Sequence, residues 1–532
     1  MTFSVTGALA TVIGAVLIVI GVVLYTGTGG RLVPFYDYGI TIDAGSSHSE
    51  VTLYKWGEDK KVIEKGSCST RPGIDKISPT NGNLNKLLDC VEKMASEVHG
   101  ARDATPVILG ATAGMRILEA ENKTLTDEIL KTIDEGLKSI KLNNTELNVE
   151  MPRIIPGEDE GLFAWVTANY LLKIIPPEKR LANVSADDTM GILDMGGASA
   201  QIAFAESPEK ANTKAKLFGK TYNVKAYSNL CYGMDQAVKR YFSLLIKDFN
   251  FKAPSTSDNS IKLERERIGG GDIPDVNPET VSSSMPELIP DPCSNEGVEH
   301  KIDGSDLLHE VCVNKPDGNP PSNYISSKLA YIFRGAPDLD KCKHYVEKLT
   351  KLQECRENFQ ICPTINTNGI PKGANFYAFS NYYFVTRVIP YLKNHSSISL
   401  PLFQDSVKNF CYTKWSTIEP NVEKICETNA NFCKRYCFGL NFVEKTLSDI
   451  YNFALDQWLN IHFAKKLEGK SLGWALGDML VACNAMPGAK PTKPVLPLYG
   501  MVLMIVVGVV LLVFGLANLY HRHRSRRSYE SV

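Results

Sequence analysis

The chain has no surplus of charge of either sign: 58 Lys and Arg stand against 59 Asp and Glu in 532 residues, a formal net charge of −1. Without a basic surplus there is no electrostatic footprint for nucleic acid, and no nucleic-acid partner is expected. The 13 cysteines include no CxxC pair and no interleaved histidines, which argues against a zinc site. Cysteine is absent from both ends of the chain, with every one lying between Cys68 and Cys483. Long uncharged apolar runs are confined to those ends.

Those two runs, Val5 to Tyr25 and Leu496 to Tyr520, are each long enough to cross a bilayer, which takes about 20 apolar residues. The first lacks a basic n-region and is longer than the apolar core of about 7 to 15 residues in a cleaved signal peptide, so it reads as an uncleaved anchor. The second is followed by a basic tail over residues 521–532, His521-Arg-His-Arg-Ser-Arg-Arg527 at its start, which the positive-inside rule places in the cytoplasm. Everything between the anchors then lies outside, where the cysteines form disulfides. Four glycosylation sequons, at Asn122, Asn143, Asn183 and Asn394, are compatible with that face.

With 44% hydrophobic residues, the chain can bury a large core and holds more than one folding unit. After a Gly-rich spacer, Thr26 to Gly30, an alternating apolar stretch from Tyr38 reads as a strand, loop and strand. Pro106 to Leu109 is apolar before a Gly and Thr loop, and Leu162 to Leu172 is apolar at helical spacing. Alternation of the two periods gives an α/β fold. A polar, Pro- and Ser-rich stretch, residues 253–291, reads as an exposed insertion without catalytic groups. Leu447 to Leu467 reads as one amphipathic helix and Leu472 to Ala482 as a second, shorter one.

One local pattern occurs twice. Ile42-Asp43-Ala44-Gly45-Ser46-Ser47-His48 and Leu193-Asp194-Met195-Gly196-Gly197-Ala198-Ser199-Ala200-Gln201 share an apolar residue, Asp, any residue, Gly and then small residues. An Asp at a strand end followed by Gly makes a tight hairpin whose N–H groups converge on an anion, with the Asp aimed at an accompanying metal. An ordinary hairpin explains either copy alone, because DxG is a common turn signal. Two copies in one register point to a duplicated phosphate clamp between two related lobes.

Between the copies, Gly110-Ala111-Thr112-Ala113-Gly114-Met115-Arg116 offers a hydroxyl and a guanidinium suited to phosphate oxygens, or is a loop with a surface Arg. Gly157-Glu158-Asp159-Glu160-Gly161 places three carboxylates ahead of a helix, where first-turn acids are common. In a phosphate site, a carboxylate not committed to metal can activate water.

These segments, together with Gly157 to Tyr170 and Trp474-Ala475-Leu476-Gly477, resemble the apyrase family of ecto-nucleoside triphosphate diphosphohydrolases, in the actin, hexokinase and Hsp70-like superfamily. The resemblance implies extracellular hydrolysis of nucleoside tri- and diphosphates. It makes Glu160 the general base, with Ser199 and Gln201 holding the attacking water. Asp43 and Asp194 would reach Ca²⁺ or Mg²⁺ through its water shell. Ser46, Ser47, His48, Gly196, Gly197 and Ala198 would line the clamps, with Thr112 and Arg116 nearby; His48 equally fits a loop histidine. Tyr383, Phe384 and Tyr436 are nominated for stacking on the base, with core packing as the alternative for each.

The spaced cysteines resemble the two-anchor branch at the cell surface, which implies the plasma membrane and leaves room for a homo-oligomer. By resemblance the pairs are Cys68 with Cys90, Cys231 with Cys312, Cys293 with Cys342, Cys355 with Cys362, and Cys411 with Cys437. Cys426 and Cys433 could form another pair, leaving Cys483 as the odd thiol. Asp478 stands where the family usually has an aromatic. The competing readings are a lumenal nucleoside diphosphatase and a silent nucleotide-binding receptor; the retained Glu160, Ser199 and Gln201 disfavour the second. The implied fold is two RNase H-like lobes around a cleft, the first over residues 36–169 and completed by about 461–488, the second over 170–460.

Overall fold

The structure is a computed structural model that describes residues 2–24, 37–57, 59–78, 82–99, 101, 104–142, 145–175, 188–252, 287–366, 369–486 and 498–529. The first sheet contains β1 (Asp37–Ala44), β2 (Ser49–Trp56), β3 (Ile63–Thr70), β4 (Thr105–Ala111), β5 (Leu147–Val149) and β6 (Arg153–Ile154). Its order is β3-β2-β1-β4-β5, with β6 also beside β4. β1 is antiparallel to β2 and parallel to β4. Every residue of β4 is buried, as expected of an apolar strand covered on both faces.

The second sheet repeats this plan. It is built from β7 (Gly191–Met195), β8 (Ser199–Ala205), β9 (Thr213–Leu217) and β10 (Lys220–Leu230). A separate three-stranded sheet follows, made of β11 (Glu287–Asp291), β12 (Glu299–Asp303) and β13 (Ala330–Gly335). β14 (Phe376–Ser380) and β15 (Ile461–Phe463) then return to the second sheet, whose order is β15-β14-β7-β8-β10-β9. β7 is antiparallel to β8 and parallel to β14, as β1 is to β2 and β4. The duplicated motif therefore reflects a duplicated sheet topology.

Six helices are labelled here: α1 (Thr2–Leu24), α2 (Asn83–Ser96), α3 (Ala113–Glu121), α4 (Lys123–Ser139), α5 (Gly157–Leu171) and α6 (Met234–Lys252). α5 is buried on nearly every side, so it lacks the polar stripe of a surface helix. Its Leu162, Trp165 and Val166 share a core with Trp56 and Ile108 of the first sheet and with Ile192, Ala203 and Val224 of the second. The helix Ala475–Ala485 joins that core through Met479 and Leu480. Gly477 allows the two helices to touch: a Cβ there would lie 1.9 Å from the Phe163 carbonyl oxygen.

Several expectations need correction. The 447–467 segment is not one helix. A π-helical turn, Thr446–Ile450, ends where Asn452 takes a left-handed φ of 61°; a 3₁₀ turn, Leu455–Asn460, and β15 follow. β15 pairs in parallel with β14, because Ile461 and Phe463 bury themselves at the edge of the second sheet. The segment assigned to the first lobe from residue 461 therefore begins inside the second, and α5 packs between the sheets. The second short helix starts at Ala475, not at Leu472. Of the expected insertion, 253–286 lie outside the described residues, while 287–291 form β11, where Ile289 is buried and Pro290 is tolerated on an edge strand.

α1 and the terminal helix Leu498–Tyr529 are long and apolar enough to cross a membrane. They pack together where a Cβ on Gly14 would stand 2.6 Å from the Gly508 carbonyl oxygen, close approach of the kind small residues permit between membrane helices. The helix continues past the expected limit at residue 520 through most of the basic tail.

Candidate active site

The two hairpins are closed by the same bond. Gly45 N–H donates to the His48 carbonyl at 3.0 Å, and Gly196 N–H to that of Ser199 at 3.0 Å. Each is held from behind: Ile74 N–H donates to the Gly45 carbonyl at 3.1 Å, and Met234 N–H, at the start of α6, to that of Gly196 at 2.9 Å. Thr112 N–H donates to the Ala44 carbonyl at 3.1 Å, which fixes the start of α3 beside the first hairpin. A cavity of about 170 Å³ opens between them. Asp43, Ser46, Ser47, His48, Thr112, Glu160, Asp194, Gly196, Gly197, Ala198 and Ser199 line it.

Glu160 is buried in the first turn of α5, three residues after Gly157. Its Oε2 accepts hydrogen bonds from Arg116 Nη2 and, at 3.2 Å, from Gln201 Nε2. The Gln201 amide also donates to Ser199 Oγ at 2.7 Å. Burial pushes the Glu160 carboxyl up, and the Arg116 guanidinium opposes it without cancelling it. A carboxylate raised in this way is a stronger base than one in water.

Asp43 is the penultimate residue of β1, and Asp194 is the penultimate residue of β7. Burial, reinforced by Glu160, raises each carboxyl from 3.8 to about 7. Asp194 Oδ1 is buried and has no hydrogen-bond partner. Two carboxylates sharing one cavity, one with an orphaned oxygen, suit a hard cation. Among the described residues no three His, Cys, Asp or Glu side chains are grouped to hold a metal by themselves. Mg²⁺ uses one or two carboxylates and completes its shell with water and phosphate oxygens, and the donor set fits a cation bound in that way.

Residues 36–494 match the GDA1/CD39 (nucleoside phosphatase) family. The chain belongs to that family. It is 30% identical over 505 residues to mouse ectonucleoside triphosphate diphosphohydrolase 1, covering 91% of this chain and 88% of that protein. Chicken ectonucleoside triphosphate diphosphohydrolase 2 is 28% identical, covering 98% and 97%. The crystal structure of nucleoside triphosphate hydrolases from Neospora caninum superposes with a TM-score of 0.53 at 14% identity, over 84% of this chain and 92% of that one, which supports the fold. As a member of the GDA1/CD39 family, the protein is an enzyme that hydrolyses nucleoside phosphates.

None of the nominated aromatics lines this cavity. Tyr383 lies under Arg387, Phe384 is 39% exposed with Lys465 over its ring, and Tyr436 is buried in the core of the second lobe. Asn122 and Asn394 are exposed; Asn143 and Asn183 lie outside the described residues. The structure pairs Cys68–Cys90, Cys231–Cys312, Cys293–Cys342, Cys355–Cys362, Cys411–Cys437 and Cys426–Cys433, and buries Cys483 as a free thiol.

Two residues at the site were not legible in the sequence. Ser380 lines the cavity and acts against the rise in the Asp194 pKa, with a φ of 55° where β14 gives way to a helix. Ser228, on β10, accepts from Gln201 Nε2 at 3.0 Å and from Arg116 Nη1 at 3.4 Å. A lone serine in an alternating strand carries no signal; only the fold brings it to Gln201.

Proposed function

We propose that this protein hydrolyses extracellular nucleoside tri- and diphosphates to the monophosphate and inorganic phosphate, by in-line attack of water on the terminal phosphorus. The observation that carries the reading is Glu160: a buried carboxylate with a raised pKa, tied to Gln201 and facing the cavity that both hairpins line. Glu160 takes a proton from the water while Ser199 and Gln201 orient its oxygen. The bond between the terminal phosphorus and the bridging oxygen breaks, and no residue is phosphorylated. Backbone N–H groups of the two hairpins, with Ser46, Ser47, Thr112 and Ala198, hold the phosphate oxygens, so catalysis is mainly positioning and charge stabilisation.

Asp43 and Asp194 would hold Ca²⁺ or Mg²⁺ through its water shell, and the cation would neutralise charge on the phosphate oxygens. The contacts are to phosphate, so wide nucleobase tolerance follows. The two apolar end helices, the basic tail and the disulfides support a plasma-membrane protein with its catalytic part outside.

The test is phosphate release from ATP, ADP and AMP by the purified full chain, with Ca²⁺ or Mg²⁺ and then with chelator. ATP and ADP should release phosphate and AMP should not, with chelation abolishing release. Metal-independent release, or no release from a folded protein that still binds ATP, would overturn the reading.

A further inference from the structure

We propose that Ser228 is a positioning residue for the hydrolytic water, acting through Gln201 and Arg116 on Glu160. The proposal rests on the assignment of Glu160 as base. Ser228 and Gln201 are register partners across the antiparallel β10–β8 pair, so their side chains emerge side by side on one face of the second sheet. The Ser228 hydroxyl does not line the phosphate cavity; it stands behind it.

Proton counting makes this position matter. The Gln201 amide has two N–H bonds, and three oxygens stand within reach of Nε2: Ser199 Oγ at 2.7 Å, Ser228 Oγ at 3.0 Å and Glu160 Oε2 at 3.2 Å. With one proton held by Ser228, the plane of the amide is fixed, and the other proton is left for the Glu160 and Ser199 side of the site. The same hydroxyl takes one arm of Arg116, through Nη1, while the other arm, Nη2, reaches Glu160. One oxygen thus orients both groups that hold the base.

Gly157 keeps the seat open. A Cβ at that position would fall 2.1 Å from Ser228 Oγ and 2.3 Å from Arg116 Nη1. The first residue of α5 therefore leaves room for the contact, and the fourth, Glu160, receives its effect.

Without the hydroxyl, the amide and the guanidinium lose their common anchor and the water loses its alignment. Substrate binding, which uses the hairpins, should be little affected. The experiment measures kcat and KM for radiolabelled ATP in the full chain carrying Ser228→Thr or Ser228→Val. The two have the same shape and suit a strand, and they differ in the hydroxyl. Each is also combined with Glu160→Gln.

Ser228→Val should lower kcat about 10- to 100-fold with KM within about 3-fold, the scale expected for misplacing a catalytic group. Ser228→Thr should keep at least about ten times the kcat of Ser228→Val. In the Glu160→Gln background the two should agree within about 2-fold, because groups that act as a unit are not additive. Equal kcat for Thr and Val, a loss carried by KM, or an undiminished Thr-to-Val difference without Glu160 would each overturn the proposal. Full activity of Glu160→Gln alone would instead remove the base on which the proposal rests.

Discussion

Gly197 of the second hairpin faces Ser46 of the first: a Cβ on Gly197 would stand 3.3 Å from the Ser46 hydroxyl oxygen and 2.7 Å from Asp235 Oδ2. The two hairpins come from different sheets, so this gap sets the width of the cavity they line. Asp235 is held by Arg435 at 2.7 Å and cannot withdraw without breaking that pair. Gly197→Ala should lower kcat/KM for ATP about 10- to 100-fold, by displacing phosphate on the scale of an ångström. Steady-state kinetics of the variant would check this.

Glu160→Gln should reduce kcat at least about 100-fold, the lower range for losing a general base. On the proposed mechanism the wild-type base is the ionised Glu160 carboxylate. Because burial raises its folded pKa, the acid limb of the rate profile should lie above the ordinary carboxylate range, with activity falling as pH drops through it. A profile of kcat/KM from acid to neutral pH would show the limb, and Glu160→Gln should abolish it.

The two aspartates make stability depend on pH in the sense opposite to a salt-bridged acid. Each has a folded pKa of about 7 against 3.8 ordinarily. Between those values the folded state binds more protons than the unfolded one. Their contribution is therefore fully present below about 3.8 and is lost as pH rises through about 7. A divalent cation held as proposed would stabilise the ionised pair, so Ca²⁺ or Mg²⁺ should raise Tm more at pH 8 than at pH 5, and little in Asp43→Asn/Asp194→Asn. Thermal unfolding at both pH values would test it.

Arg153 holds the buried Asp478 with two bonds from Nη2, at 3.0 and 2.9 Å, joining β6 to the helix Ala475–Ala485. Burial still leaves the Asp478 carboxyl raised. Arg153→Met strands that carboxylate and should cost about 1 to 2 kcal/mol, a modest figure because the Arg side chain is 43% exposed. Replacing both, as Arg153→Met/Asp478→Leu, should restore most of the loss. Denaturant unfolding of the single and double variants would decide.

Much of the site could be read because its chemistry lies in contiguous segments. The Asp-x-Gly repeat pointed to Asp43, Asp194 and both hairpins; the acidic turn offered three carboxylates, of which only the family resemblance singled out Glu160. Residues that join the network across the sheet were silent: Ser228 matters through its register with Gln201, and Ser380 through a backbone turn that no composition marks. The 447–467 helix failed for a related reason. Its apolar spacing is real, but Asn452 breaks the backbone and β15 is captured by the edge of a sheet whose neighbour, β14, lies far away in sequence. Periodicity records what a segment could bury, and the partner decides how.

The wedge formed by the helix Ala475–Ala485 bears on biosynthesis. The first sheet is complete once β6 has emerged, yet Trp56 and Ile108 share their core with a helix more than 300 residues further on. Trp474, which lines the cavity, arrives with that helix. Until that helix is made, Trp56 and Ile108 lack part of their core and the cavity lacks one of its walls. The cavity is therefore complete only once residues shortly before the second apolar helix have been made.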